Sequence, residues 1–139
     1  MAINTALCTS FKKELFEAVH DFTSDTFKIA LYSSSASLDA ATTAYSASNE
    51  ISGTGYSAGG VTLSVVAPSI DGTTGLVDFG DPSWSNATFS TSGALIYNSS
   101  KSNKAVAVYS FGSSQSVSSA NFNITMPAAA AGTAIVRIN

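Results

Sequence analysis

The stretch from Thr26 to Val66 constrains this chain most: TFKIALYSSSASLDAATTAYSASNEISGTGYSAGGVTLSVV. At its two ends apolar residues alternate with polar or small ones. Phe27, Ile29 and Leu31 interleave with Lys28, Ala30 and Tyr32, while Val61, Leu63 and Val65 interleave with Thr62 and Ser64. A period of two marks a strand with one buried face. Between these runs, residues 33–60 are built almost wholly from Ser, Thr, Ala, Gly and Asn, and Asp39 and Glu50 are the only charged members. A linker of that length without its own periodicity is uncommon in a compact domain unless it has a task such as binding.

The sequence predicts one helix, over residues 9–22. Leu7, Phe11, Leu15, Ala18, Val19 and Phe22 fall on one stripe, Lys12, Lys13, Glu14, Glu17 and Asp21 lie elsewhere around it, and Thr9 or Ser10 can cap its start. Such a stripe must pack on the protein's own sheet or on a neighbouring subunit. Strands are expected near residues 26–32, 60–66, 76–79, 83–89, 94–98, 104–111, 121–126 and 133–138. Turn residues separate them at Asp71-Gly72, Gly80-Asp81-Pro82, Ser92-Gly93, Ser99 to Asn103 and Gly112 to Ser119. Short strands without interleaved helices argue for an antiparallel sandwich or barrel, and eight suit a jelly roll. The expected fold is mainly β: an antiparallel jelly-roll-like β-sandwich with one N-terminal α-helix. One domain accounts for residues 1–139, with an arm and helix over 1–25 and a sandwich over 26–139 that carries the linker 33–60.

Charge is scarce. Only 11% of residues are charged, where soluble domains average about 25%. Hydroxyls and amides must therefore carry solubility, or much of the surface is covered by partners, where charge is costly to desolvate. All nine acidic residues lie at or before Asp81, so side chains total −6 over residues 1–81 and +3 over the rest. Such asymmetry suits contacts between copies or with a partner. The net charge of −3 argues against nucleic acid as a partner. No run approaches the ~20 apolar residues of a membrane span, and the N-terminus lacks the basic-then-apolar pattern of a secretory signal.

Catalytic chemistry has little to work with. His20 is the only histidine and Cys8 the only cysteine, so neither an intrachain disulfide nor a three- or four-ligand zinc site can form. No G-x-S-x-G elbow accompanies His20. Asp71, Asp78 and Asp81 cluster in IDGTTGLVDFGDP, where a calcium loop or a carboxylate pair has to be weighed against turn chemistry, and turn chemistry is favoured. The glycines of SGTGYSAGG precede a strand and lack a following Lys-Ser/Thr, so they are not a phosphate loop. The reading is a non-enzyme without cofactor.

The strand ending ALY, the Ser/Thr/Ala stretch, NEISGTGYSAGG and the following strand resemble a pattern of small structural proteins from tailed bacteriophages. With the size and all-β character, the chain is most similar to a capsid cement, or decoration, protein. The resemblance covers about a third of the chain. It implies a virion protein, made in the host bacterial cytoplasm, that sits on the capsid exterior and bridges major capsid subunits to stabilise the shell. Partners are then the major capsid protein and further copies of itself, a homodimer ahead of a trimer. Two alternatives stand beside it: a tail, baseplate or head-fibre component, and a carbohydrate-binding sandwich in which Trp84 and exposed tyrosines stack on sugars. The interface candidates are Tyr45 and Tyr56 in the linker, Phe11, Leu15 and Val19 on the helix stripe, and Trp84. If the linker lies on a neighbouring subunit, replacing both tyrosines should leave the isolated protein's stability unchanged.

Overall fold

The computed structural model describes residues 2–139 and is mainly β, with two antiparallel sheets and one short helix. In chain order the elements are β1 (Ala6–Leu7), α1 (Thr9–Phe16), β2 (Phe27–Tyr32), β3 (Val61–Thr62), β4 (Val65–Asp71), β5 (Thr74–Phe79), β6 (Ser83–Asn98), β7 (Lys104–Asn123) and β8 (Val136–Ile138). One sheet has the order β1-β7-β6-β2-β3 and the other β4-β5-β8. This is the sandwich class that alternation predicts. The eight strands divide five and three, and jelly-roll wiring goes beyond what that order establishes.

A single hydrophobic core joins the sheets. Phe27, Ile29 and Leu31 of β2, Leu95 and Ile96 of β6, and Val106 and Val108 of β7 are all buried. Phe27 meets Phe79 of β5 at 5.6 Å between ring centroids, and Phe22 stacks on Phe27 at 4.6 Å with the planes 5° apart. Contrary to the alternation, β2 is buried on both faces. Ala30 and Tyr32 are as covered as their apolar neighbours, because the linker lies over the second face.

The hairpin of β6 and β7 dominates. The expected strands 83–89 and 94–98 are one 16-residue strand, and 104–111 and 121–126 fall largely on one 20-residue strand that ends at Asn123. Ser92-Gly93 and Gly112 to Ser119 therefore lie within strands, not turns. Irregularities absorb the misfit. Between Thr91↔Gln115 and Gly93↔Ser110 the register shifts around Gly112 (φ 79°), and Asn86 (φ 49°) and Ser119 (φ 49°) stand at further shifts. The predicted strand 60–66 divides instead: β3 pairs with β2, and β4 crosses to the second sheet. The expected last strand shortens to β8.

The helix is also shorter than its stripe. It stops at a C-cap on Glu17, Ala18 turns left-handed (φ 57°), and Val19 lies outside it. The stripe is honoured by a turn instead. The turn drops His20 beneath Phe11 (4.9 Å between rings) and carries Phe22 edge-on to Phe11 at 6.1 Å.

Candidate interaction surfaces

The linker does not hang free. Its start runs beside the N-terminal arm, through an Ile3↔Leu38 bridge and a bond from the Thr9 N–H to the Ala40 carbonyl. It then crosses the β6–β7 turn, where the Tyr45 N–H bonds the Asn103 carbonyl and the Ala105 N–H bonds the Thr43 carbonyl. Next it pairs with the end of β2 at Tyr32↔Glu50 and with β6 at Thr54↔Thr88. The glycines of NEISGTGYSAGG allow that approach. A Cβ on Gly60 (φ 77°) would lie 1.7 Å from the Ile29 carbonyl oxygen, and one on Gly53 would lie 2.5 Å from that of Thr88.

Glu50 is the hub. Its Oε1 accepts from the Tyr45 hydroxyl at 2.7 Å, and its Oε2 accepts from the Tyr56 hydroxyl at 2.6 Å and the Gly59 N–H at 2.8 Å. The Tyr56 hydroxyl in turn accepts from the Leu31 N–H at 2.9 Å. Tyr97 and Tyr32 donate to the Gly59 and Ser46 carbonyls, both at 2.7 Å. Tyr45 stacks on Tyr97 at 4.7 Å. Burial, then the bond to Glu50, pushes the Tyr45 phenol up to about 12. Burial likewise pushes Tyr56 and Tyr32 above the ordinary phenol range. These phenols stay protonated and donating.

This placement corrects the expected anchors. Tyr45 and Tyr56 are half-buried and turned onto their own chain, because a linker carboxylate this close to the sheet needs donors. Trp84 is 2% exposed, flanked by Phe122 at 5.8 Å and Tyr56 at 6.5 Å, so no sugar ring can stack on it. Phe11 is fully buried, and Leu15 and Val19 are half-buried. Phe11 and Trp84 present no free side chain and Tyr45 and Tyr56 are engaged internally, whereas Leu15 borders an open groove.

The titratable groups are spent on structure. Asn98 Nδ2 donates to His20 Nδ1 at 3.0 Å and to Asp25 Oδ2 at 2.8 Å, so His20 Nε2 carries the proton toward Glu14 Oε1 at 2.9 Å. Lys104 and Lys101 close the two ends of this chain on Glu14 (3.5 Å) and Asp25 (3.3 Å). Burial works against the Asp25 charge, but bonds from Asn98, the Asp21 N–H and Lys101 prevail and hold the acid below its usual range. Asp71 and Asp81 each accept a distant backbone N–H, from Ala131 and Met126, both at 2.7 Å. Asp78 is buried and accepts from the Phe79 N–H at 2.8 Å; burial raises it. Asp71 and Asp81 thus staple separate segments, whereas the bond of Asp78 is to the next residue in the chain. Burial, helped by Asp39 and Glu14, pushes the Cys8 thiol up to about 11, so it is not a thiolate nucleophile. Among the described residues no group of three or more His, Cys, Asp or Glu converges as metal ligands, and no helix is long and apolar enough to cross a membrane.

The exposed apolar surface lies elsewhere. Phe16 at the end of α1 is 91% exposed, and Ile70 of β4 and Ile138 of β8 are 81% and 65% exposed. A groove of about 260 Å³ runs between the helix and the smaller sheet, lined by Leu15, Phe22, Pro68, Leu76, Val136 and Ile138 among others. Sequence reasoning missed Phe16 because it falls off the stripe, and Ile70 because it lies between the expected strands 60–66 and 76–79. A large apolar residue off its helix's buried stripe was the available signal. Comparison of the chain with models of protein families, with curated proteins and with solved structures returns no match.

Proposed function

We propose that the protein is a non-enzymatic virion component that binds the outer surface of a phage capsid and bridges major capsid subunits. The observation that carries this reading is the exposed apolar set Phe16, Ile70 and Ile138, with Ile138 on the wall of an open groove, on a chain with little charge. Large exposed apolar groups rimmed by hydroxyls suit a surface that is covered in use. The resemblance of residues 26–66 to phage structural proteins supplies the partner. Bridging works by adding buried area across a seam between subunits, which raises the cost of separating them under internal DNA pressure.

The test is made on purified particles split into heads and tails. The protein should fractionate with heads at a copy number comparable to the major capsid protein. Particles lacking it should release DNA at a lower temperature. A Phe16→Ser, Ile70→Ser variant should keep its melting temperature yet lose capsid occupancy by tenfold or more, since each buried side chain is worth about 1.5–3 kcal/mol. Recovery in tails at low copy number would overturn the capsid reading in favour of a tail or baseplate component. Unchanged occupancy of the variant would remove the apolar surface as the contact.

A further inference from the structure

One chain of buried hydrogen bonds joins α1, residues 20–26 and the β6–β7 turn, and its chemistry accommodates a single imidazole proton. The Asn98 side chain is fully buried. One end of its amide lies 2.8 Å from Asp25 Oδ2, a carboxylate oxygen that only accepts, and the other lies 3.0 Å from the Ser100 nitrogen, whose N–H only donates. These two partners fix the amide's orientation. Nδ2 faces Asp25 and also His20 Nδ1 at 3.0 Å, while Oδ1 faces Ser100. His20 Nδ1 must then accept, so the imidazole proton sits on Nε2, where Glu14 Oε1 receives it at 2.9 Å. The ring is closed off from water and packs near Phe11 at 4.9 Å and Phe27 at 6.4 Å. The charged groups around it come from each element packed there. Glu14 belongs to α1, Asp25 to the turn that follows, and Lys101 and Lys104 to the β6–β7 turn and the start of β7, with Lys101 on Asp25 at 3.3 Å and Lys104 on Glu14 at 3.5 Å.

We infer that His20 is a proton-operated latch between these segments. A second proton on the imidazole has to go on Nδ1, where it meets an N–H of Asn98, donor against donor. Glu14 already stands where it can pair with the cation, so the conflict falls on Asn98 rather than on the far side of the ring. Turning the amide over presents Oδ1 to the new Nδ1–H and gives the imidazolium an acceptor on each side. The same turn withdraws Nδ2 from Asp25 and sets it against the Ser100 N–H. One proton thus exchanges the two bonds that tie Asn98 to Asp25 and Ser100 for one bond to His20. It loosens the joint where the Ser99 N–H and hydroxyl both bond the Thr26 carbonyl and the Thr26 N–H bonds Ser100 Oγ. The latch does not rest on the capsid reading, since it concerns the isolated protein.

His20 is the only histidine, so its titration can be followed in the full chain without overlap. Nitrogen NMR at the alkaline end should show one tautomer, protonated at Nε2. Acidification is carried across about pH 8 to 5, the span in which histidine ordinarily changes charge. The second imidazole N–H should appear in step with new positions for the Asn98 side-chain amide and the Ser100 N–H. Left without its acceptor, the Ser100 N–H should also exchange with solvent about tenfold faster, the effect of one lost hydrogen bond. His20→Gln supplies the control, because its amide can donate to Glu14 and accept from Asn98 yet takes up no proton. The acid response should vanish in it. Two tautomers together at the alkaline end, a second proton that leaves Asn98 and Ser100 unmoved, or a ring that stays singly protonated until the fold melts would each overturn the latch. The same response in His20→Gln would also overturn it and assign the response to Glu14 and Asp25. Should that variant not fold, the step shared by His20, Asn98 and Ser100 in the native chain decides alone.

Discussion

The linker 33–60 and the far half of β7 have nearly the same composition and opposite structures. Both are rich in serine and nearly free of charge, and neither shows strong periodicity. The linker forms isolated bridges and wraps several elements, whereas Gln115 to Asn123 pairs along β6 in a ladder interrupted by register shifts. What separates them is what each segment faces. The ladder forms because residues 83–91 present Trp84, Ala87, Phe89 and Thr91 alternately to the buried side, and β7 supplies the matching strand. The linker has an acid to satisfy and two backbones to approach closely, so it spends its residues on Glu50 and on glycines. Composition reports flexibility in isolation; partners decide the structure.

That contrast can be broken at several points. Tyr45→Ala with Tyr56→Ala should cost the isolated protein at least about 4 kcal/mol, by deleting two packed rings and stripping two donors from Glu50. This reverses the expectation for a linker docked on a neighbour, and urea denaturation measures it. An unchanged midpoint would return the linker to the status of a passive loop. Gly60→Ala should cost about 3 kcal/mol, since the methyl collides with the Ile29 carbonyl and the backbone is left-handed there. Tyr56→Phe keeps the ring but leaves the Leu31 N–H and one oxygen of Glu50 short of a partner, for about 1–3 kcal/mol. In the ribbon, Ser114→Ala or Ser118→Ala should stay within about 0.5 kcal/mol. A serine there as sensitive as the tyrosines would erase the distinction.

The smallest effect concerns pH. Asp21 accepts from the Thr23 hydroxyl at 2.6 Å, the Thr23 N–H at 2.9 Å and the Ser24 hydroxyl at 2.8 Å, which lowers its pKa to about 2. A depressed carboxyl stabilises the fold above its unfolded pKa, and that contribution is lost as pH falls from near 4 through 2. Asp21→Asn should flatten the slope of stability against pH in that window and leave neutral pH almost untouched. An identical acid limb in the variant would assign the slope to Asp25 and the other carboxyls.

Legibility followed the same division. FKIALY announced β2, and KAVAV announced the start of β7, because apolar periodicity reports a core that the segment itself helps to build. The helix start was readable to within a residue, but Cys8 stands at the cap and neither Thr9 nor Ser10 bonds there with its side chain. The helix end was not, since Phe11, Leu15, Val19 and Phe22 satisfy a helical period and a turn equally well, and Ala18 adopts a conformation that alanine seldom signals. Ser92-Gly93 reads as a turn from its residue types, yet a Cβ at Gly93 would meet Ile3 at 2.7 Å, a contact made across 90 residues. Of the six candidate interface residues, Tyr45, Tyr56, Phe11 and Trp84 are turned into their own fold, while Leu15 lines the open groove. Glu50 was noted as one of only two charges in the linker, but a hub formed by two tyrosines around it is a tertiary fact.

The wrapping of the linker also bears on time rather than energy. Its partners come from the N-terminal arm, β2, β6 and the β6–β7 turn, so it can settle only after those elements have met. Contacts that form after the rate-limiting step of folding hardly alter how fast a chain folds; they govern how fast it comes apart. Weakening the Glu50 hub should therefore raise the unfolding arm of a chevron plot and leave the refolding arm nearly in place. For the capsid clamp proposed above, residence in the folded state, set by a belt that fastens last, would be the quantity that matters.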